Sequence, residues 1–324
     1  MPGWMPAAAL GVALLLAQTA AATIYNWQTG QPISGTEGIT PQPFVNLSYW
    51  NTASHNLRYG DFRSTDLNHS NFGYSWLDCA HFGGADLTSA DLSSAMLTSA
   101  NLSDANLTWA GLCRATLTGA DLTSANLYQA TVTGADLILA NLESATLTGA
   151  NLTLADTRKA QGASLGEAVT RNTILPDGTV AGLTLLASDT LVVRNCDLGI
   201  TVQAAMTFDP SAVIEFRLEN GVWGSTVTPA PAVVPDLGGT LQLRFADGVD
   251  PALLVGKTFD LFDWSGPLEA DNRFDGVRSE PGVLWGLRAL YTTGEVTLVP
   301  EPATLSLLAL GGLALLRRRR VASA

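Results

Sequence analysis

A chain of 324 residues has room for two or three domains, and 47% apolar with only 7% aromatic residues points to a core of Leu, Ala and Val. The formal net charge is −12, and four of the seventeen basic residues are the run Arg317–Arg320, so the body is more acidic still. This excludes the basic footprint of a nucleic-acid binder and fits solubility outside the cell.

Residues 1–22 read as a secretory signal. Ala7 to Ala17 is a short apolar run, too short for an ordinary spanning helix, and Ala20-Ala21-Ala22 places small residues at −3 and −1 of a signal-peptidase cut after Ala22. No Lys or Arg precedes the run, so only the α-amino group supplies positive charge there.

Residues 23–55 carry Tyr25, Trp27, Phe44, Tyr49 and Trp50 among Gly, Pro and Thr. They read as an N-terminal cap, because a solenoid end exposes core and unpaired backbone that must be covered. Asn46-Leu47 has the form of an imperfect first repeat. The competing reading of the same aromatics is a carbohydrate platform.

From 56 to 156 the sequence repeats every five residues. The large apolar positions are Leu57, Phe62, Leu67, Phe72, Leu77, Phe82, Leu87, Leu92, Leu97, Leu102, Leu107, Leu112, Leu117, Leu122, Leu127, Val132, Leu137, Leu142, Leu147 and Leu152. A small residue precedes each by two: Gly60, Thr65, Ser70 and Ser75, then Ala at every step from Ala80, with His55 the exception at the start. Asp or Asn usually stands between them. Five residues advance ~500° on an α-helix, leaving successive Leu ~140° apart with no stripe. On a flat strand an odd period alternates faces. The chain must therefore turn once per repeat and close into a coil with Leu and Ala inward.

The A(D/N)Lxx pattern resembles the pentapeptide-repeat proteins over about a third of the chain. The resemblance implies a right-handed quadrilateral β-helix with four repeats per coil, hence about five coils. At the spacing of paired strands the rod is roughly 24 Å long. Four repeats per coil also puts Phe62 beneath Phe82, where the rings should stack.

Residues 157–171 read as a capping linker: Ser164-Leu165-Gly166-Glu167 has capping-box spacing and predicts a one- or two-turn helix, with Gly166 weakening it. Residues 172–298 read as a second all-β domain. Val213–Leu218, Leu241–Phe245, Thr258–Leu261 and Glu295–Leu298 alternate, separated by turn signals at Pro176-Asp177-Gly178, Asn220-Gly221, Asp236–Gly239 and Asp247-Gly248. The Pro-rich stretch Thr228–Pro235 reads as an exposed loop. Around Gly256–Trp264 and Leu290–Gly294 the domain resembles the β-rich regions that precede the sorting tail of many bacterial surface proteins.

The segment 299–320 is the second strong signal. Val299, Pro300, Glu301 and Pro302 are followed by an apolar run from Ala303 to Leu316 and then Arg317, Arg318, Arg319 and Arg320. Motif, apolar run and basic end together resemble a PEP-CTERM sorting tail. The resemblance implies export, transient inner-membrane anchoring by a short C-terminal membrane helix, and processing by an exosortase-type enzyme. As a helix the run spans roughly 21 Å against a hydrocarbon core of about 30 Å, which suits a temporary anchor. The arginines hold the last residues in the cytoplasm and leave the body outside.

No motif nominates catalysis, and no cofactor or metal is expected. Gly162-Ala163-Ser164-Leu165-Gly166 matches a nucleophile elbow, yet His55, His69 and His81 all lie upstream of it. Gly256-Lys257-Thr258 lacks the first glycine of a phosphate loop, Pro251 standing there. Asp271–Gly276 departs from a calcium loop at Arg273 and Gly282. The cysteines Cys79, Cys113 and Cys196 are odd in number, lack CxxC and read as unpaired thiols.

The leading expectation is thus an exported, non-catalytic structural or interaction protein of the cell surface or extracellular matrix. A second is binding to surface polysaccharide, or another lattice, through outward Thr and Ser, with Thr88, Thr108, Tyr128 and Thr148 on one face and Thr98, Thr118 and Ile138 on another. A remote one is gyrase inhibition by DNA mimicry, which conflicts with export. An enzyme in the β domain would have to use carboxylates such as Asp260 and Asp263.

Overall fold

The computed structural model describes residues 23–300 apart from positions 48, 50, 53, 54, 220 and 265. Residues 1–22, where a secretory signal is expected, lie outside the described residues, as do Glu301, Pro302, the apolar run and Arg317–Arg320. The described chain is mostly β and divides into two compact units between Thr170 and Arg171.

In the first unit every repeat is one β-turn. In the repeat at Leu87, the Ala90 N–H donates to the Leu87 carbonyl at 3.0 Å, and Ser89 between them has φ 56°. A single positive φ at the third turn residue is the type II pattern. The same left-handed position recurs every five residues from Tyr59 to Lys159. Glycine holds it at Gly84, Gly119, Gly134 and Gly149; elsewhere Ser, Arg, Gln and even Trp accept a conformation that L-residues ordinarily avoid.

Backbone bridges then join residue i to i+20, from Asp61↔His81 through Asn141↔Gln161. Twenty residues per coil is four repeats per coil, as the family resemblance implies. The twenty apolar positions from Leu57 to Leu152 are at most 4% exposed. Burying each contributes about 1.5–3 kcal/mol against exposure, largely offset by chain entropy. Phe62 and Phe82 stack at 4.6 Å with planes 6° apart, and Phe72 meets both edge-on.

One more turn follows the Leu series. Ala160 N–H donates to the Thr157 carbonyl at 3.0 Å, so Thr157 takes the large apolar position and is itself buried. The helix expected within 157–171 is absent. A single turn bonds Ala168 to Leu165, and the backbone of Gln161, Glu167 and Val169 instead accepts from Leu142, Gly149 and Leu152. Satisfying the last coil's open edge outweighs a short helix already weakened by Gly166.

The opposite end is covered by the N-terminal segment. Ile24 and Leu47 enter the core, with Ile33, Ile39 and Val45 packed against it. Tyr25 and Val45 carbonyls accept from Asp61 and Asn71 of the first coil. Asn46 bridges Asn71, so Asn46-Leu47 is a true partial repeat. Its offset is twenty-five because the hairpin of β1 (Asn51–Thr52) and β2 (His55–Asn56) intervenes.

The second unit is also a coil, of another kind. β3 (Thr179–Val180), β4 (Leu183–Leu185) and β5 (Thr190–Arg194) form one circuit. β6 (Ile200–Val202), β7 (Met206–Phe208) and β8 (Val213–Leu218) form the next. β9 (Val227–Pro229), β10 (Pro235–Asp236) and β11 (Thr240–Phe245) form a third. Every third strand pairs in parallel, giving sheets β3-β6-β9, β4-β7-β10 and β5-β8-β11, the last extended by β13 (Gly276–Ser279). Inward residues such as Leu191, Ile214 and Leu241 stack in register. The Pro-rich stretch 228–235 is not one exposed loop: its ends belong to β9 and β10, and Val233 between them is buried. Both strands lie at sheet edges, where proline is tolerated. The unit ends in an antiparallel sheet in which β15 (Glu295–Val299) lies between β12 (Thr258–Asp260) and β14 (Leu284–Gly286).

Candidate functional site

The outer surface of the first unit is built by backbone needs. In the repeat Asp86-Leu87-Thr88-Ser89-Ala90, four N–H groups bond to backbone: Asp86 to Thr65, Leu87 to Asn106, Ser89 to Thr108 and Ala90 to Leu87. The fifth, on Thr88, has no backbone acceptor in this scheme and donates to Asp86 Oδ1 at 3.0 Å. This Asx arrangement explains why Asp or Asn precedes the large apolar residue. It recurs at Asp91, Asn101, Asn106, Asp121, Asn126, Asn141 and Asn151.

The threonine row is tied into the same network. Thr108 Oγ1 donates to Asn106 Oδ1 at 2.7 Å and accepts from Asn126 Nδ2 at 3.0 Å. Thr88 Oγ1 accepts from Asn106 Nδ2, and Thr118 Oγ1 donates to Asp136 Oδ2. These hydroxyls serve ladders along the rod, so less of their hydrogen-bonding capacity faces outward than a free hydroxyl array would offer. Ile138, on the second face, is buried.

His81 occupies an Asp/Asn slot. Its Nδ1 accepts from Gly83 N–H at 3.2 Å, which requires the proton on Nε2. Partial burial and then the Arg63 guanidinium push its pKa below the ordinary value, opposed by Asp61. Arg63 itself forms a fork on Asp61 at 2.8 and 2.7 Å and lowers that carboxyl.

Exposed aromatics stand at left-handed turn tips. Tyr49 and Tyr74 stack at 4.9 Å and 3°, and Phe44 and His69 at 5.1 Å and 5°. The cap aromatics were legible in the sequence; their pairing with Tyr74 and His69 was not. The twenty-five-residue offset that creates it comes from the inserted hairpin.

At the far end of the rod, Asp156 and Arg158 form a buried pair. Arg158 Nε lies 2.9 Å from Oδ1 and Nη2 lies 2.6 Å from Oδ2, with side chains 1% and 0% exposed. Burial pushes the Asp156 carboxyl upward against the pull of Arg158.

In the second unit, Asp260 lies opposite Glu295 across the β12–β15 pair. Burial, Glu295 and Asp263 together raise the Asp260 pKa. Thr293 Oγ1 bonds Glu295 at 2.9 Å. The residues of the calcium-like stretch serve packing instead. Asn272 accepts from Leu237 N–H, Asp275 accepts from Gly239 N–H, and Phe274 is buried. Among the described residues no group of three or more His, Cys, Asp or Glu is placed to hold a metal, and the three cysteines are free. Gly162 has φ 65°, and a Cβ there would meet Glu143 Cα at 2.5 Å, so the elbow-like stretch at Ser164 begins on a glycine required for close approach.

The motif at 299–302 starts on folded structure. Val299 is the last residue of β15 and pairs with Leu284 of β14. Among the described residues no helix is long and apolar enough to cross a membrane.

A family model described as pentapeptide repeats matches residues 65–104, 100–137, 120–156 and 135–168. A solved pentapeptide repeat protein from the Arabidopsis thaliana thylakoid lumen is 37% identical, over 30% of this chain and 68% of its own, with a TM-score of 0.30. The chain belongs to the pentapeptide-repeat proteins. A second solved member, from Nostoc PCC 7120, is 33% identical over 32% of this chain and 83% of its own, at a TM-score of 0.20. A third, Rfr23 from the cyanobacterium Cyanothece 51142, is 27% identical over 41% and 82%, at 0.24. A PEP-CTERM protein-sorting motif matches residues 298–320. It implies export and exosortase sorting to the cell surface. Pentapeptide-repeat proteins are generally non-catalytic, and no enzyme family matches. No curated protein matches the chain.

Proposed function

We propose that this pentapeptide-repeat protein is an exported, non-catalytic structural or interaction protein of the cell surface or extracellular matrix. The observation that carries it is the sorting motif at 298–320, which begins within the last strand of the second unit. In this reading residues 1–22 direct export and are removed by signal peptidase. The apolar run then holds the chain in the inner membrane as a short helix until an exosortase-type enzyme cuts near Pro300-Glu301-Pro302. The repeats form a right-handed four-sided rod, as the family resemblance implies, and act as a rigid spacer. Deleting residues 303–320 tests the sorting step: surface protease then no longer reaches the protein on intact cells. Unchanged surface exposure of the deletion would refute it.

A second reading is binding to surface polysaccharide. The stacked pairs Tyr49–Tyr74 and Phe44–His69 favour it, because exposed aromatic faces pack well on sugar rings. The Thr rows favour it less, their hydroxyls being engaged with Asp and Asn. Binding on a glycan array that Tyr74→Ala abolishes would support this reading, and an empty array would end it.

A further inference from the structure

We infer that the apolar surface beside the sorting motif rests on the lipid bilayer while the tail is inserted; the inference rests on the membrane anchoring proposed above. The 3-10 turn Pro251–Leu254 turns Leu254 into the core and leaves Leu253 67% exposed. Val255 beside it is 44% exposed, and Leu284 at the start of edge strand β14 is 42% exposed. Between the turn and the strand runs a groove of about 360 Å³ lined by Pro251, Val255, Val283, Leu284, Val299 and Pro300 among others, with no charged side chain.

The position of this surface decides what covers it. Val299 is locked into the sheet by pairing with Leu284. Only Glu301 and Pro302 separate Pro300, which lines the groove, from the apolar run that begins at Ala303. Three residue steps reach at most about 11 Å. The headgroup layer on each side of the hydrocarbon is itself several ångströms thick. With Ala303 at the edge of the hydrocarbon, Pro300 stays within about 11 Å of it, so the groove it lines is held at the headgroup layer or only a few ångströms beyond it. Apolar side chains placed there lose water contact, and the groove itself carries no charged side chain into the interface.

The test places a photoreactive p-benzoylphenylalanine at Leu253, at Leu308 in the apolar run, or at Val222, which is 92% exposed elsewhere in the second unit. The full chain is reconstituted into phosphatidylethanolamine–phosphatidylglycerol vesicles and irradiated, and adducts are identified by mass. Lipid adducts at positions 253 and 308, each several-fold above position 222, are expected. Lipid adducts at 308 with none above background at 253 overturn the inference while leaving the membrane anchor standing. A covalent dimer from position 253, or an adduct to residues 303–316 of the same chain, overturns it in favour of another occupant. No lipid adduct at either position contradicts the membrane anchor itself, and the inference falls with it.

Discussion

Phe82 lies face to face on Phe62, one coil away, with centroids 4.6 Å apart, and this stack reports the register of the whole rod. A coil of any other length would separate the two rings. Phe82→Ala should destabilise the first unit by about 3–5 kcal/mol. A double-mutant cycle of Phe62→Leu and Phe82→Leu should show a coupling of about 0.5–1.5 kcal/mol in urea unfolding. Strict additivity would place the rings apart.

The Asp/Asn position predicts effects of both signs. Asn101 accepts the Ser103 N–H at 2.9 Å, so Asn101→Ala removes that acceptor and should cost about 1 kcal/mol. Gly111 stands in an equivalent slot without a side chain, and a Cβ there has no neighbour nearer than 3.6 Å. Gly111→Asn should therefore stabilise by about 1 kcal/mol, by accepting from Cys113 N–H and by reducing the entropy of the unfolded chain. The shifts in urea midpoint should be opposite in sign.

Arg158 and Asp156 should be inseparable. Arg158→Met leaves a carboxylate buried without its guanidinium and should cost about 3–5 kcal/mol. Asp156→Ala combined with Arg158→Met removes both charges and should recover a large part of that loss. The comparison needs only the three unfolding midpoints, and a double variant worse than either single one would contradict the pairing.

His81 should make the rod acid-sensitive. Its folded pKa lies below the ordinary 6.5, so the unfolded chain binds its proton more readily. Its contribution is complete above 6.5 and is lost as pH falls through that value toward the folded pKa. Asp61, whose pKa is also lowered, adds a separate loss at lower pH, in the carboxylate range. Melting temperature between pH 7 and 5 should fall less in His81→Asn, which keeps the acceptor for Gly83 N–H without titrating. Equal slopes in the two proteins would remove His81 from the account.

The first unit was legible because each repeat position has one backbone task. Leu fills the core, Ala fits beside it, and Asp or Asn takes the remaining N–H. Thr157 departs from the pattern, and the turn at Ala160 continues past the point where the Leu series ends. The second unit was legible only as strands. Its pairs Thr179↔Thr201 and Thr240↔Gly276 are separated by very different lengths of chain, so no fixed period marks the parallel coil. Pro229 and Pro235 resembled a loop because their place at sheet edges depends on pairing remote in sequence. The groove at Pro300 joins Pro251, Val283 and Val299, which local pattern does not connect. The motif itself was plain in the sequence, but its attachment to a central strand was not.

Mass spectrometry of both termini of the protein isolated from the cell surface or medium tests the central proposal most directly. The expected product is a chain beginning near Thr23 and ending close to the Pro300-Glu301-Pro302 motif, without the apolar run. An intact chain recovered from the cytosol, with residues 1–22 and 303–324 still attached, would contradict it.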